Sequence, residues 1–391
     1  MFENNKKKTV VRAYLLTCAC VVIILSLGSG ANVFAGGCDN SGVGLKGFSA
    51  GSAYTGIADD ASAVYYNPGG LAFLDSNIWY GEVYGYVVGT KYEHTDVSHK
   101  NQSDEKFFIP GLFIAKGNSK YALGFGFYVP YGGALTEYSD FNKTSFDHEC
   151  KSALSAFTLS AAYRVLPDLS IGAGVSVYNG IFESKNSGVE SEYDNMPAGY
   201  GYNIGIMYRP ARKWSMGFSL RSEVDVKMDG KIRAAGQEFD SRVEFTLPWY
   251  YEFGVGYRPD SRLTLGFSCR YMLWGDMDLM NFTTAGTKTD LPTNYKNSWL
   301  VGLGIAYETG GESTLIAGVK YAQGATKDKG LDAATNDVDL LILSVGILYD
   351  LNKALEIGIT GFYVIGFEEE YNSQKFDQDH VVLMCGSTFK Y

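Results

Sequence analysis

Histidine, proline and long apolar runs are scarce in this sequence, and these scarcities exclude several classes of protein. No segment reaches the roughly 18 consecutive apolar residues that a transmembrane helix needs, so a helical membrane bundle is excluded. With four histidines, no nucleotide-binding motif and no C-x-x-C pair, we expect no enzyme activity, no catalytic residue, no metal site and no cofactor. The net charge of −10 argues against nucleic acid as a partner.

Glycine and aromatic residues are abundant instead. The 391 residues include 47 glycines, 29 tyrosines and 23 phenylalanines. Mean hydropathy is −0.08. Disorder is excluded because aromatic and β-branched residues are plentiful. A chain of 391 residues could form two or three soluble domains, but it could also form one large β-barrel.

Residues 1–35 have the pattern of a secretory signal peptide. Four basic residues precede an apolar stretch at 13–27, and small residues lead to a V-x-A cleavage site that ends at Ala35. The apolar stretch is shorter than the about 20 residues of a spanning helix. We therefore expect cleavage after Ala35 and export.

Four cysteines follow that site: Cys38, Cys150, Cys269 and Cys385. Export permits disulfide bonds, but the spacing favours none of the three complete pairings. Cys38 is also a possible lipidation site, although Ala35 stands where such sites carry a bulky aliphatic residue.

Beyond residue 77 the apolar residues alternate with a period of two. Trp249, Phe253 and Tyr257 share one face, whereas Glu252 and Gly254 share the other. One apolar face and one face of glycine, serine and charge are typical of a transmembrane barrel strand. We predict fourteen such strands, at 78–93, 107–116, 121–130, 152–165, 169–181, 200–209, 214–226, 242–257, 262–274, 299–309, 313–323, 338–350, 354–367 and 379–391.

The connections between these strands favour a membrane barrel over a soluble sandwich. Connections after even-numbered strands are short and built from Gly, Pro, Asn and Asp, whereas those after odd-numbered strands are predicted as polar loops of about 10 to 24 residues. Short periplasmic turns and longer extracellular loops are the outer-membrane pattern. We therefore expect an all-β, fourteen-stranded antiparallel transmembrane barrel in the outer membrane of a Gram-negative bacterium.

The same reasoning predicts the partners of the barrel. Outer-membrane lipid and lipopolysaccharide would surround it. The terminal aromatic residue, Tyr391, fits a signal for the barrel assembly machinery. We expect a monomer.

Residues 36–77 lack long alternation and are rich in small residues. A fourteen-stranded barrel is too wide for wall side chains to fill, so an empty lumen would leak. The sequence therefore predicts three parts: a signal peptide at 1–35, an amino-terminal hatch or plug inside the lumen at 36–77, and the barrel at 78–391.

The hatch segment also carries a family resemblance. Residues 53–72 read AYTGIADDASAVYYNPGGLA and resemble the hatch signature of the FadL/TodX family, outer-membrane transporters of long-chain fatty acids and aromatic hydrocarbons. That family usually has alanine where this chain has Gly69. The stretches at 129–138 and 247–259 are also similar to the family, and the resemblance spans the mature chain.

The resemblance implies a path for a hydrophobic substrate. Extracellular loops would capture it, a pocket in the lumen would bind it, and movement of the amino-terminal segment would release it. Exit would be lateral, through a gap at a kinked third strand. The implied hatch residues are Asp59, Asp60, Asn67, Pro68, Gly69 and Gly70.

Other site residues are hypotheses from strand position. Gly124, Gly126 and Pro130 are candidates for the third-strand kink, although the glycines could instead make room for the plug. Strand parity places polar candidates in the lumen, which either bind a substrate carboxylate or pair with one another: Arg221, Glu223, Glu252, Arg270 and Lys320. The longest predicted loop, 275–298, offers apolar capture candidates: Met277, Leu279, Met280 and Phe282.

The predicted function is passive uptake of a hydrophobic compound. A long-chain fatty acid is the leading substrate and an aromatic hydrocarbon the second. A general porin is the nearest rival, but it should have a charge-lined, unplugged lumen. A structural or adhesive barrel is the third possibility.

Overall fold

The computed structural model describes residues 39–40, 42–74, 79–96, 99–118, 120–138, 148–186, 188–277, 279–327, 337–371 and 374–391. The predicted signal peptide and Cys38 lie outside these residues. Within them, no helix has the length and apolar character to cross a membrane.

Nineteen strand segments form one antiparallel sheet. Five strands are interrupted, so that β7 and β8, β9 and β10, β11 and β12, β13 and β14, and β17 and β18 each make one strand, which gives fourteen. Their bounds are β1 Trp79–Asp96, β2 His99–Gly117, β3 Tyr121–Tyr138, β4 His148–Leu166, β5 Leu169–Asn186, β6 Val189–Ala211, β7 Trp214–Arg221, β8 Val224–Ala234, β9 Gln237–Leu247, β10 Tyr250–Tyr257, β11 Leu263–Met272, β12 Leu279–Thr284, β13 Thr287–Pro292, β14 Ser298–Glu308, β15 Ser313–Ala322, β16 Leu340–Asn352, β17 Leu355–Gly366, β18 Glu369–Tyr371 and β19 Gln374–Lys390.

The sheet closes on itself because β1 pairs with β19, from Tyr80 opposite Lys390 to Thr95 opposite Lys375. Trp79 and Tyr391 exchange backbone hydrogen bonds of 2.6 and 2.9 Å at the same end. The predicted fourteen-stranded antiparallel barrel is therefore confirmed. Closure leaves no free edge at this join, which a sheet in lipid requires.

Side chains alternate across the wall as the sequence predicts. On β10, Phe253 is 45% exposed on the outer face, whereas Tyr250 and Glu252 are buried on the inner face. Trp299 and Leu303 of β14 are likewise exposed. An apolar outer band suits contact with lipid tails.

The strands continue well beyond the predicted bounds at one end of the barrel. The predicted loop at 227–241 is instead a hairpin of β8 and β9, which turns at Ala235 and Gly236 with φ of 51° and 76°. Ala285 and Gly286 turn β12 into β13 in the same way, with φ of 48° and 82°. Two-residue turns of this left-handed kind match the twist of antiparallel strands. The prediction of long loops here is wrong, because exposed polar residues still pair as strands.

The short predicted turns are confirmed at the opposite end, for example between Gly117 and Tyr121 and between Asn352 and Leu355. In bacterial barrels the end with short turns faces the periplasm, and the longer connections face outward. The extended hairpins therefore form the extracellular end.

Residues 42–74, here named the inner segment, pack against the inner face of the wall. They contain two short helices, α1 Leu45–Ser49 and α2 Ala63–Tyr66, and a 3-10 helix at Pro68–Phe73. Wall glycines make room for their backbone: a Cβ added to Gly217 would lie 2.0 Å from the Thr55 oxygen, and one added to Gly318 would lie 2.2 Å from the Gly51 nitrogen. The inward-facing glycines therefore allow the wall to pack closely against the backbone of this segment.

The seam between β2 and β3 is paired over only part of its length. The pairs run from Gly117 opposite Ala122 to Leu112 opposite Phe127. Beyond Leu112, β2 continues to pair with β1 as far as His99, and β3 continues along β4. In the described part of the chain, β2 pairs there with β1 alone. We call this unpaired stretch the wall gap.

Candidate functional site

The centre of the lumen holds a buried ion triad around Arg270. Its Nε donates to Glu252 Oε2 at 2.8 Å, and its Nη1 donates to Asp39 Oδ2 at 2.7 Å. Thr55 donates to the other Glu252 oxygen at 2.5 Å. All three charged side chains have at most 1% exposure. The triad thus ties β10, β11 and the amino-terminal residues together.

Aromatic rings surround Arg270 and the neighbouring Arg221. The Arg221 guanidinium carbon lies 4.5 Å from the Tyr65 ring centre and 4.8 Å from that of Tyr250. The Arg270 carbon lies 4.6 Å from the Tyr250 ring centre. Such contacts stabilise a cation that water does not reach. Parity reasoning correctly predicted both arginines as buried and inward.

Each of these arginines keeps one nitrogen without a hydrogen-bond partner within the described part of the chain. The two atoms are Nη1 of Arg221 and Nη2 of Arg270. Buried donors of this kind normally find acceptors, and an anion is the strongest acceptor for a guanidinium. These two nitrogens are therefore buried hydrogen-bond donors that no described protein group uses.

Strand parity also places Lys320 correctly but fails at Glu223. Lys320 is 1% exposed and donates to Ser52 Oγ at 3.3 Å. Glu223, in contrast, lies on the exposed side of the wall. The strand breaks between β7 and β8, where Ser222 bonds twice to the Tyr202 backbone. Arg221 and Ser222 are both buried, so the alternation shifts by one residue and turns Glu223 outward.

The predicted hatch motif forms a tight turn against β5 and β6. Asn67 Oδ1 accepts from Gly69 N at 3.0 Å, and its Nδ2 donates to Ile206 O at 2.9 Å. Ser170 Oγ donates to Gly69 O at 2.6 Å. Pro68 begins the 3-10 helix, and a Cβ on Gly70 would lie 2.4 Å from Ala58 O. The motif residues thus fix the inner segment to the wall.

Asp59 and Asp60 lie near the periplasmic end of the inner segment. Tyr54 OH is 2.6 Å from Asp59 Oδ1 and 2.9 Å from Asp60 Oδ2. Arg258 donates to Asp59 Oδ2 at 2.8 Å. Burial raises the pKa of Asp59, but the charges of Lys46 and Arg258 outweigh burial and bring it down to about 2. Burial raises the pKa of Asp60 above its ordinary value, and the neighbouring Asp59 charge adds to this.

Two further arginines hold the inner segment at this end. Arg164 Nη2 donates to Ala72 O at 2.6 Å, and Arg209 Nη2 donates to Ile57 O at 3.3 Å. Both stack on the Phe73 ring, at 4.6 and 4.3 Å from its centre. These two arginines were not predicted from the sequence. A recurring Tyr-Arg pair before three short turns, at 163–164, 208–209 and 257–258, was the available signal.

The predicted kink residues separate into two groups. Pro130 lies in a bulge, where the β3–β4 register shifts between Tyr128 and Tyr131 and again between Gly132 and Ala134. Gly124 and Gly126 lie in regularly paired strand instead. A Cβ on Gly124 would lie 2.6 Å from Val64 Cγ2, so this glycine accommodates the inner segment. Of the two alternatives for these glycines, the contacts therefore favour room for the inner segment over a kink.

The first described residues contact the wall gap. Asn40 N donates to Pro130 O at 2.8 Å, and Asn40 Nδ2 donates to Val129 O at 3.0 Å. Asp39 forms an isolated antiparallel bridge with Tyr131. Tyr131 also pairs with Leu154 of β4, so Asp39 occupies the edge of β3 that β2 leaves unpaired. Asp39 and Asn40 were not predicted from the sequence, because no periodicity marks them.

The predicted capture loop at 275–298 contains regular structure. A 3-10 helix at Trp274–Asp276 leads into the β12–β13 hairpin. Met277 is buried, Met280 and Phe282 pack partly against the core, and Leu279 is exposed. Of the four predicted capture residues, Leu279 is therefore the one whose side chain is exposed. Among the described residues, no cluster of His, Cys, Asp and Glu is arranged to hold a metal ion.

Comparison with known proteins places this architecture among outer-membrane proteins. A family model described as outer membrane protein transport protein (OMPP1/FadL/TodX) matches residues 31–389. Outer membrane protein P1 of Haemophilus influenzae is 27% identical, over 87% of this chain and 89% of the relative. The long-chain fatty acid transport protein of Escherichia coli O6:H1 is 22% identical, over 87% and 91%. A crystal structure of a Pseudomonas aeruginosa FadL homologue superposes with a TM-score of 0.77 at 17% identity, covering 90% of this chain and 99% of that one.

Proposed function

Because the chain belongs to the OMPP1/FadL/TodX family of outer-membrane transport proteins, we propose that it takes up long-chain fatty acids by passive transport. The observation that carries the choice of substrate is the pair of buried arginines with unpartnered nitrogens. A fatty acid would present its carboxylate to them and its chain to the surrounding aromatic rings. The name of the E. coli relative supports the same substrate class.

The proposed binding pocket lies between the inner segment and the wall, around Arg221, Arg270 and Lys320. Three cationic side chains meet two carboxylates there, Asp39 and Glu252. A ligand carboxylate that competes with Asp39 for Arg270 would weaken the hold on the amino-terminal residues. Ligand binding would thereby favour release of the segment, since a ligand shifts an equilibrium toward the state that it binds better.

The proposed exit is the wall gap. Asn40 and Asp39 satisfy backbone groups of the β3 bulge from inside the barrel. When they withdraw, that stretch of β3 is unpaired on the side toward β2, and an apolar molecule can pass sideways into the membrane. A lateral route keeps the substrate out of water, which is why it suits an insoluble compound.

An aromatic hydrocarbon is the second candidate substrate. It would use the same aromatic rings but has no carboxylate for the arginines. Capture by the apolar side chains of the β12 region, monomeric assembly, and assistance by the barrel assembly machinery remain parts of the proposal. A general porin fits less well, because the inner segment occupies the lumen against glycine-rich strands.

The substrate class is tested by replacing Arg221 with Gln. Cells that lack their own uptake proteins would express the wild type, R221Q, or R233Q as a control on an exposed extracellular hairpin. Oleate and toluene uptake would be measured for each. We expect R221Q to reduce oleate uptake roughly tenfold, the cost of a charged hydrogen bond, and to leave toluene uptake unchanged. An equal fall for both compounds would contradict the carboxylate role, and no oleate uptake by the wild type would contradict the function.

A further inference from the structure

A groove of about 450 Å³ lies on the outer surface of the barrel at its periplasmic end. It follows the paired part of the β2–β3 seam, directly below the wall gap. Trp79, Ile114, Tyr121, Leu123 and Leu159 line it, and all five are exposed. The volume falls within the range of small-molecule sites, about 300–1,000 Å³.

Lys116 lines this groove, and Lys120 Nζ lies 6.0 Å from the ring centre of Tyr121, another lining residue. Lys116 Nζ lies 4.7 Å from the Trp79 ring centre, and Lys120 Nζ lies 5.4 Å from that of Tyr163. Both side chains are exposed. Among the described residues no carboxylate lies within salt-bridge distance of either amine, and the partner of Lys120 is the neutral Tyr163 hydroxyl. Their charges are therefore available to a ligand.

The turn that carries Lys120 is held in place. Asn118 Oδ1 accepts from Lys120 N and Tyr121 N, each at 2.8 Å. Arg164 N donates to Lys120 O at 2.8 Å. Hydrogen bonds therefore fix the backbone position of Lys120 on the surface.

We propose that this groove binds one phospholipid of the periplasmic leaflet whose headgroup carries a net negative charge. Lys116 and Lys120 would contact the phosphate, and the apolar walls would hold an acyl chain. Basic residues beside apolar surface recognise anionic headgroups, and Trp and Tyr concentrate at this depth of a membrane. The bound lipid would lie against the periplasmic end of the β2–β3 seam. It would stabilise the paired part of that seam below the proposed exit.

The lipid site is independent of the transported substrate, because it lies outside the wall and away from the arginines of the lumen. The turn at Arg212 and Lys213 provides a matched control. It lies at the same end, exposes two basic residues, and adjoins the aromatic pair Trp214 and Tyr257, whose ring centres are 4.3 Å apart. It does not border the groove.

The test uses the purified full-length protein and native mass spectrometry, without fatty acid. Wild type, K116Q/K120Q and R212Q/K213Q would be equilibrated with an equal mixture of palmitoyl-oleoyl phosphatidylglycerol and phosphatidylcholine. We expect the wild type and R212Q/K213Q to retain one phosphatidylglycerol, and K116Q/K120Q to bind it roughly tenfold more weakly. Heat-modifiable gel mobility would show that each barrel is folded.

Three outcomes would overturn the proposal. The wild type could retain both lipids equally, which would mean that charge is not recognised. Both double variants could lose phosphatidylglycerol to the same extent, which would assign the effect to general surface charge. Oleate added in stoichiometric amount could displace the lipid from the wild type, which would make the groove a fatty-acid site.

Discussion

At the scale of single residues, Arg270 decides how the amino-terminal residues are held. Its guanidinium is the shared partner of Asp39 and Glu252, and all three side chains are buried. A buried ion pair adds little net stability compared with apolar groups, but removal of one partner leaves an uncompensated charge. The triad is therefore a specific attachment, and in our proposal a competing carboxylate would open it.

Replacement of Arg270 with Met should destabilise the protein by about 3–5 kcal/mol, because two buried carboxylates lose their cation. Urea unfolding of the detergent-solubilised protein would measure this. The control is R242M, which removes an exposed pair with Asp229 and should change the free energy of unfolding by less than about 1 kcal/mol. Equal effects of the two substitutions would show that the triad does not carry charge in the folded protein.

Asp59 makes the attachment at the periplasmic end sensitive to acid. Its pKa falls from 3.8 to about 2 in the folded protein, so its contribution is present above pH 4 and is lost as the pH falls toward 2. Amide hydrogen exchange of the inner segment, measured between pH 5 and pH 2, should therefore show an additional loss of protection in this window. In D59N the protection should already be lower at pH 5, and the acid-dependent loss should be smaller. Identical protection profiles for both proteins would contradict the role of this charge.

Strand parity predicted the inward orientation of Arg221, Glu252, Arg270 and Lys320 from sequence alone. It failed at Glu223, because the hydrogen bonds of Ser222 to Tyr202 depend on a neighbouring strand that a local pattern does not reveal. Asp39 was beyond prediction for a similar reason. Its partner Arg270 lies 231 residues away in the chain.

At the scale of elements, the β3 bulges create the wall gap. β3 carries one extra residue relative to β4 at each of two register shifts, so it leaves β2 after Phe127. Bulges bend a strand and end its pairing. Pro130 adds to this, since it has no N–H to donate.

Deletion of Pro130 and Gly133 together should restore a continuous β3–β4 register and allow β3 to pair with β2. We expect oleate uptake to fall to background while the barrel remains folded. The matched control deletes Val165 and Leu351, the extra residues of the β4–β5 and β16–β17 register shifts, each of which lies between paired positions. If the first variant transported oleate as well as the control, the exit would lie elsewhere.

The sequence predicted the number and order of the elements better than their lengths. Alternation is clear where one face meets lipid, so all fourteen strands were found. Above the membrane both faces meet water, so strands such as β8 and β9 carry exposed ion pairs like Lys231 with Glu238 and lose their alternation. The apolar alternation in the sequence therefore ends several residues before the strands themselves end.

At the scale of the whole molecule, closure of the sheet and occupation of its lumen work together. Family membership confirms the outer-membrane location that the strand pattern predicted. A fourteen-stranded wall needs interior material, and the glycine-lined inner face receives the backbone of residues 42–74. The result is a barrel whose lumen holds residues from its own amino-terminal part and whose β2–β3 seam is paired over only part of its length.

The central claim is that this barrel passes fatty acids while it remains closed to ions. The most direct measurement places the same preparation in two assays, oleate transfer into proteoliposomes and ion current across a planar bilayer. We predict oleate transfer well above that of protein-free vesicles, together with little or no steady current. Large steady currents, or oleate transfer no faster than in protein-free vesicles, would contradict the account.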